Sequence, residues 1–335
     1  MTLPQSFPAL PNVLHLGGND SLPDALRGGV AALGNFDGVH KGHQAVIRAA
    51  GARARAAGVP WLVLTFDPHP SRFFRPDSAP FLLTPTPDKA EAILALGVDA
   101  VLVLGFADVS PLSPDAFVAD VLARQLGLRG VVTGDDFTFG RARAGNTAVL
   151  ADLGARHGLT STAVPPVCDD DGQIISSTRV RAHLETGAPE QAAMLLGRWW
   201  SIRGAVEPGD RRGRKLAFPT ANLALGDVLR PRYGVYAVRV RLADGRRIDG
   251  VANVGLRPTF APPRELLEAH LFDFAEDLYG QELAVELVAF IRPERRFAGL
   301  AELQAQIAAD AQDARAMLAQ PTHAAGRFPA TAPQD

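Results

Sequence analysis

Residues 30–57 allow few local structures. Val30-Ala31-Ala32-Leu33 is a short apolar run that stops at a glycine turn, Gly34-Asn35-Phe36-Asp37-Gly38-Val39. From Gln44 to Ala57 the alanine-rich sequence reads as a helix. This is strand, glycine turn, helix, with His40 and His43 at the helix entrance. Such a turn suits phosphate, because glycine lets the backbone come close and a helix start offers free N–H groups in a favourable dipole. Two histidines three apart at a helix start fall on one face and can reach one anion. The same pair also reads as surface decoration. As a zinc pair it lacks a third ligand of similar quality nearby.

The turn is neither of the common phosphate loops, since both G-x-x-x-x-G-K-[ST] and G-x-G-x-x-G are absent. Downstream, Pro60–Asp67 is a continuous apolar run, read as a buried parallel strand, and it closes on a rigid loop, Asp67-Pro68-His69-Pro70. Asp99–Gly105, Arg129–Gly134 and Leu159–Val164 read as further strands, and Val13–Leu16 as a short one. Thr86–Leu96, Ser113–Leu126 and Asn146–His157 read as helices, Ser113 capping its own with Pro114 in first position. The alternation predicts an α/β domain with a parallel sheet, with ligands beyond the carboxyl ends of its strands. The opening turn, Asp67–Pro70 and Gly134–Gly140, which holds Asp136, all follow strand ends. At Ile175–Arg181 hydroxyls stand where a helix begins and arginines just inside it. Ser176–Thr178 reads either as an ordinary cap or as part of a phosphate site.

The pattern changes at Arg198. Trp199–Glu207, Gly234–Leu242, Arg247–Asn253, Leu267–Phe272 and Leu283–Phe290 read as strands, and Asp244-Gly245 is a hairpin turn. Five or six strands with almost no helix predict a small antiparallel β-barrel, with Leu300–Leu318 as a C-terminal helix packed on it. A basic glycine loop, Gly209–Lys215, precedes Phe218-Pro219-Thr220-Ala221-Asn222; by itself it reads as a solvated loop and a turn. Glu268 and His270 share a strand face. Glu268 reads as a surface charge or as a general base for phosphoryl transfer.

The length of 335 residues predicts two domains, placed at 1–187 and 188–319, with a Pro- and Ala-rich tail at 320–335 expected to be disordered. A net charge of −2 disfavours broad nucleic-acid or membrane electrostatics. The single cysteine, Cys168, excludes an intrachain disulfide, and a cytoplasmic setting is expected. No apolar run reaches the roughly 18 residues of a membrane span, and no signal-peptide pattern opens the chain. Lysine occurs only at 41, 89 and 215.

Gly-x-Phe-Asp-x-x-His-x-Gly-His at 34–43 is similar to the signature of the nucleotidyltransferase superfamily. With the barrel motifs in order, the chain resembles bacterial bifunctional riboflavin kinase/FAD synthetases from about Val30 to Leu318. The resemblance implies a Rossmann-like N-terminal module that adenylylates FMN and a barrel that phosphorylates riboflavin. In the first module it implies ATP contacts from Gly34, Asn35, Phe36, Asp37, His40, Gly42, His43, Asp136, Ser177, Thr178 and Arg181, with His40 and His43 catalytic. Asp136 would meet either ribose or metal, and Asp67, Pro68, His69 and Pro70 would border the flavin. In the barrel it implies ATP and flavin contacts from Gly209, Gly213, Arg214, Lys215, Phe218, Pro219, Thr220, Asn222, Asn253 and Arg257. Thr220 and Asn222 would hold Mg²⁺, and Glu268 would be the base. The partners implied are riboflavin, FMN and ATP, with self-association left open. Rival readings are a flavin sensor without turnover, an enzyme with one activity retained, and a nucleotidyltransferase for another small phosphate.

Overall fold

The computed structural model describes residues 6–18, 20–208, 218–257 and 264–324; the side chain of Arg257 is outside the description. Two compact units form. One comprises Leu10–Ala79 and Thr84–Ser176; the other takes the described part of Met1–Ala9, the stretch Pro80–Leu83 and the chain from Ser177 onward.

The first unit is the predicted α/β domain. Strands β1 (Val13–Leu16), β2 (Val30–Leu33), β3 (Trp61–Asp67), β4 (Ala100–Gly105), β5 (Gly130–Gly134) and β6 (Thr160–Val164) form one sheet in the order β1-β4-β3-β2-β5-β6. Every neighbouring pair is parallel. The apolar runs are continuous because both faces are covered. Val30 and Ala32 of β2 enter one core, Ala31 and Leu33 the other, and β4 divides Val101 and Val103 from Leu102 and Leu104 in the same way. Helices α1 (Lys41–Ala57), α2 (Pro70–Phe74), α3 (Thr86–Leu94) and α4 (Phe106–Val109) follow β2, β3 and β4. The helix expected over Ser113–Leu126 starts as α5 (Pro114–Ala116), capped by Ser113 Oγ, which accepts from the Ala116 N–H at 3.2 Å. It continues in π form over Phe117–Gln125, and α6 (Thr147–Arg156) completes the unit. The winding reverses between β2, followed by β3 on one side, and β5 on the other. Loops leaving the carboxyl ends part at that point, and the Gly34–His43 turn is one of them.

Gly51 shows how closely α1 sits on the sheet. A Cβ there would lie 2.6 Å from the ring of Trp61, which is buried and held by its Nε1–H bond to Ile47 O at 3.0 Å. Helix propensity favours Gly51→Ala by about 1 kcal/mol, but overpacking a fixed ring costs about 1–3 kcal/mol. Net destabilisation is expected, read as a lower thermal midpoint; a higher midpoint would mean that the ring gives way.

The second unit holds the barrel. β7 (Trp200–Glu207), β8 (Ala221–Ala224), β9 (Gly234–Leu242), β10 (Arg247–Arg257), β11 (Arg264–Leu271) and β12 (Glu282–Arg292) close in the order β10-β11-β8-β7-β12-β9. All pairs are antiparallel. β8 is the strand that the sequence reading treats as a turn; four residues just after a proline carry too short a pattern to declare themselves. Helices α7 (Ser177–Thr186) and α8 (Pro189–Leu196) precede the barrel, and α9 (Leu300–Leu318) lies on its outside. α9 places Ala314 and Leu318 against Val235, Ala237, Val288 and Ala289, and its Asp310 takes both a 2.8 and a 2.7 Å bond from Arg292. The ordered chain continues past 320: Pro321–His323 is a 3₁₀ turn with His323 buried edge-on to Trp199. The rest of the expected tail, 325–335, lies outside the described residues.

Candidate active sites

In the α/β unit the turn after β2 runs through three left-handed residues, Phe36 (φ 51°), Gly38 (φ 91°) and Val39 (φ 43°). A β-branched residue there is uncommon and holds only where the surroundings fix it. They do: Asp37 Oδ1 accepts from the Thr84 N–H at 3.0 Å, and the Gly38 N–H donates to Thr84 Oγ1 at 2.9 Å. Asp37 is buried, so its carboxylate shapes the loop. The turn delivers His40 to the N-cap of α1, where its Nδ1 accepts from the His43 N–H at 3.3 Å. The two imidazoles stack with centroids 3.6 Å apart, and Phe36 meets His43 edge-on at 5.4 Å. Gly42 lies close against this pair: a Cβ there would stand 3.1 Å from the His40 ring and 3.3 Å from Ile175 O, a tight fit. The result is a stacked imidazole pair over a helix N-terminus, where the dipole favours an anion.

Two neighbouring loops share that end of the sheet. After β5, Asp136 is exposed in the Gly134–Gly140 turn, beside Phe137 and Phe139, whose rings stack at 5.8 Å. After β3, His69 caps α2, its Nδ1 accepting from the Ser71 N–H at 3.1 Å, so Asp67–Pro70 is a loop that ends in a short helix. α2 sets Phe73 and Phe74 against Phe106, centroids 5.3 and 5.7 Å away, and leaves Phe74 67% exposed. Sequence reading missed this aromatic ledge; the pair Phe73-Phe74 after a Pro-rich loop was its only local signal. β3, β2 and β5 are adjacent strands, so all three loops leave neighbouring carboxyl ends. Ser177, Thr178 and Arg181 open α7 in the other unit, where Arg181 Nε donates to Phe81 O at 2.9 Å.

In the barrel, register assembles a polar row. Asn253 of β10 pairs with Glu268 of β11, Glu268 with Asn222 of β8, and Asn222 with Glu207 of β7. Directly opposed residues share a face. The adjacent row, Val254-Leu267-Leu223-Val206, is buried in the interior, so the polar row is on the outside. Two residues further along β11, a His270 ring nitrogen is 2.8 Å from Pro219 O and the ring is edge-on to Phe218 at 5.0 Å. This holds Phe218-Pro219-Thr220 beside the row. Asn253 donates to Glu294 at 3.2 Å, and Glu207 pairs with Arg264 at 3.1 Å. At the start of β11 Arg230 Nε donates to Glu265 at 2.8 Å and holds its carboxyl below the usual range; the Tyr233 hydroxyl also donates to it. Burial, with Glu265 alongside, pushes that hydroxyl up to about 12. Gly209, Gly213, Arg214 and Lys215 lie outside the described residues, as does the Arg257 side chain. Among the described residues no cluster of three or more His, Cys, Asp or Glu could hold a metal.

The profile of the FAD synthetase family matches residues 22–179, and that of riboflavin kinase matches residues 196–318. A bifunctional riboflavin kinase/FMN adenylyltransferase of Escherichia coli (strain K12) is 41% identical over 86% of this chain and 92% of its own. The Pseudomonas fluorescens protein of that name is 43% identical, covering 89% and 95%. The chain belongs to the bifunctional riboflavin kinase/FMN adenylyltransferase family. A solved structure titled a macrolide-efflux protein from Streptococcus pneumoniae also matches, at TM-score 0.79 and 30% identity over 91% of this chain and 99% of that one. No described helix is long and apolar enough to cross a membrane.

Within this family the α/β unit corresponds to the FAD synthetase half and the barrel to the riboflavin kinase half. His40 and His43, expected on one face, are stacked, and Asn253, Glu268 and Asn222, expected separately from the sequence, fall in one row. Glu207 joins that row through barrel closure, which alone decides the residue opposite Asn222.

Proposed function

We propose that the barrel transfers the γ-phosphoryl group of ATP to the riboflavin 5′-hydroxyl, giving FMN and ADP. The α/β unit then joins FMN to the adenylyl group of a second ATP, giving FAD and pyrophosphate. The observation that carries this reading is that one chain presents two separate constellations suited to two phosphate chemistries: an imidazole pair over a helix start, and a carboxylate flanked by asparagines on a barrel face.

In the first reaction Glu268 takes the hydroxyl proton as the oxygen attacks. Phosphoryl transfer asks mainly for positioning and charge neutralisation. Thr220 and Asn222 would hold Mg²⁺, which prefers hard oxygen ligands and accepts few protein ones when phosphates supply the rest. A hydroxyl and an amide oxygen, with the Glu207 and Glu268 strand positions on either side of Asn222, fit that preference. Bound there, the ion would neutralise phosphate charge. In the second reaction the FMN phosphate is already a nucleophile. The task is to neutralise two anions and align them. His40 Nδ1 accepts a hydrogen bond, so a neutral His40 carries its proton on Nε2, and we assign that N–H to the phosphate. We assign an ATP contact also to Asp136, and the isoalloxazine ring to the Asp67–Pro70 loop with the Phe74 ledge. The single exposed cysteine, Cys168, suits the cytoplasm as the setting.

An HPLC time course with riboflavin, ATP and Mg²⁺ tests this. FMN is expected first, then FAD. FMN alone, with supplied FMN also unconverted, would overturn the adenylyltransferase assignment. Tight flavin binding without turnover would favour a sensor.

A further inference from the structure

One short stretch, Thr84–Lys89, gathers the loops that follow β2 and β3. Thr84 bonds Asp37 and Gly38 of the β2 loop, as described. Thr86 Oγ1 donates to Asp67 Oδ1 at 2.9 Å. Between them Lys89, on α3, sends its ammonium to Asn35 O of the β2 loop at 3.3 Å and to Phe66 O of β3 at 3.4 Å. Lys89 is only 4% exposed, although lysine is rarely buried to this degree. A packing role alone would be better filled by an apolar side chain, because an ammonium loses its hydration there. What the ammonium adds is one cation shared by the backbone of the β2 loop and that of the end of β3.

We propose that Lys89 is a positioning residue for adenylyl transfer, tying the ATP loop that carries His40 to the flavin loop at Asp67 so that the two phosphates meet in line. This rests on the adenylyltransferase reading above. Thr65 Oγ1 donates to the same Asn35 carbonyl at 3.1 Å, so the ammonium completes a knot that is already begun. The charged groups that face it are Asp37 on the β2 loop and Asp67 at the end of β3; Asp88 and Glu91 lie on its own helix. Burial lowers its pKa to about 8, with Asp37 and Asp67 opposing that fall. The cation is therefore present below that pH and lost above it, and the rate of FAD formation from FMN should decline through this region.

Lys89→Met keeps the length of the side chain and removes the charge. FAD formation from supplied FMN should lose roughly tenfold to a hundredfold in kcat/KM, with the KM values for ATP and FMN both raised. The alkaline limb near pH 8 should vanish, while FMN formation by the barrel stays unchanged as the internal control. A variant with normal kcat/KM, or one that keeps the limb, overturns the proposal. If Lys89→Met does not fold, Lys89→Gln decides: its amide still offers a donor to the two carbonyls but carries no charge, so kcat/KM for FAD formation should fall and the alkaline limb should vanish, and a limb that persists overturns the proposal. A wild-type protein that makes FMN but never FAD would refute the adenylyltransferase reading instead.

Discussion

Glu268→Gln should stop FMN formation and leave the conversion of supplied FMN into FAD at its normal rate. The amide keeps the size of the side chain and a hydrogen-bonding oxygen, so the row Asn253-Glu268-Asn222-Glu207 should remain intact. What is lost is an acceptor for the proton that leaves the riboflavin hydroxyl. Removing a general base typically costs about 10²–10⁴-fold. The loss should fall on kcat for riboflavin phosphorylation, because flavin and ATP contacts elsewhere on the barrel are untouched. Each half-reaction is measured separately by HPLC, one started with riboflavin and the other with FMN. A Gln variant that phosphorylates riboflavin normally would make Glu268 a spectator. Loss of both reactions in a folded protein would mean that the two chemistries share one site.

What the sequence discloses depends on how far a feature reaches along the chain. The histidine turn is local: strand, glycines and helix start all lie within Val30–Ala57, and the structure stacks the two rings as one face. The continuous runs of β3 and β4 are local too, and they mark strands covered on both sides. Thr84 and Lys89 are different. Their partners, Asp37 and Asn35, are 47 and 54 residues away, and no spacing rule connects them. The motif shows that an aspartate stands at 37, but only the fold shows that it holds a threonine. In the barrel, strands such as Gly234–Leu242 are legible from composition and alternation, whereas register is not. Which residue faces Asn222 is decided when β8 inserts between β7 and β11, and that strand has only four residues. Likewise the grouping of Pro80–Leu83 with the barrel unit rests on the Leu82–Val228 bridge and on Trp200 Nε1, which donates to Leu83 O at 2.7 Å. Nothing in those four residues announces it.

The histidine pair yields the other large effect, and its two members should fail differently. His43→Ala should reduce FAD formation by about 10²–10³-fold, the usual cost of removing a preorganised donor at developing charge. FMN formation should be spared. The folded state should barely notice, because what caps α1 is the backbone N–H of residue 43 donating to His40 Nδ1, and alanine retains that N–H. The ring contacts with His40 and Phe36 are lost. His40→Ala removes both the donor and the cap acceptor. It should abolish FAD formation to a similar degree and also lower stability by about 1 kcal/mol, the usual cost of a lost N-cap. Thermal midpoints and half-reaction rates of the two variants separate these contributions. Equal loss of stability in both would show that His43 matters for packing. A nearly unchanged rate in His43→Ala would remove that ring from the chemistry and leave His40 alone over the helix start.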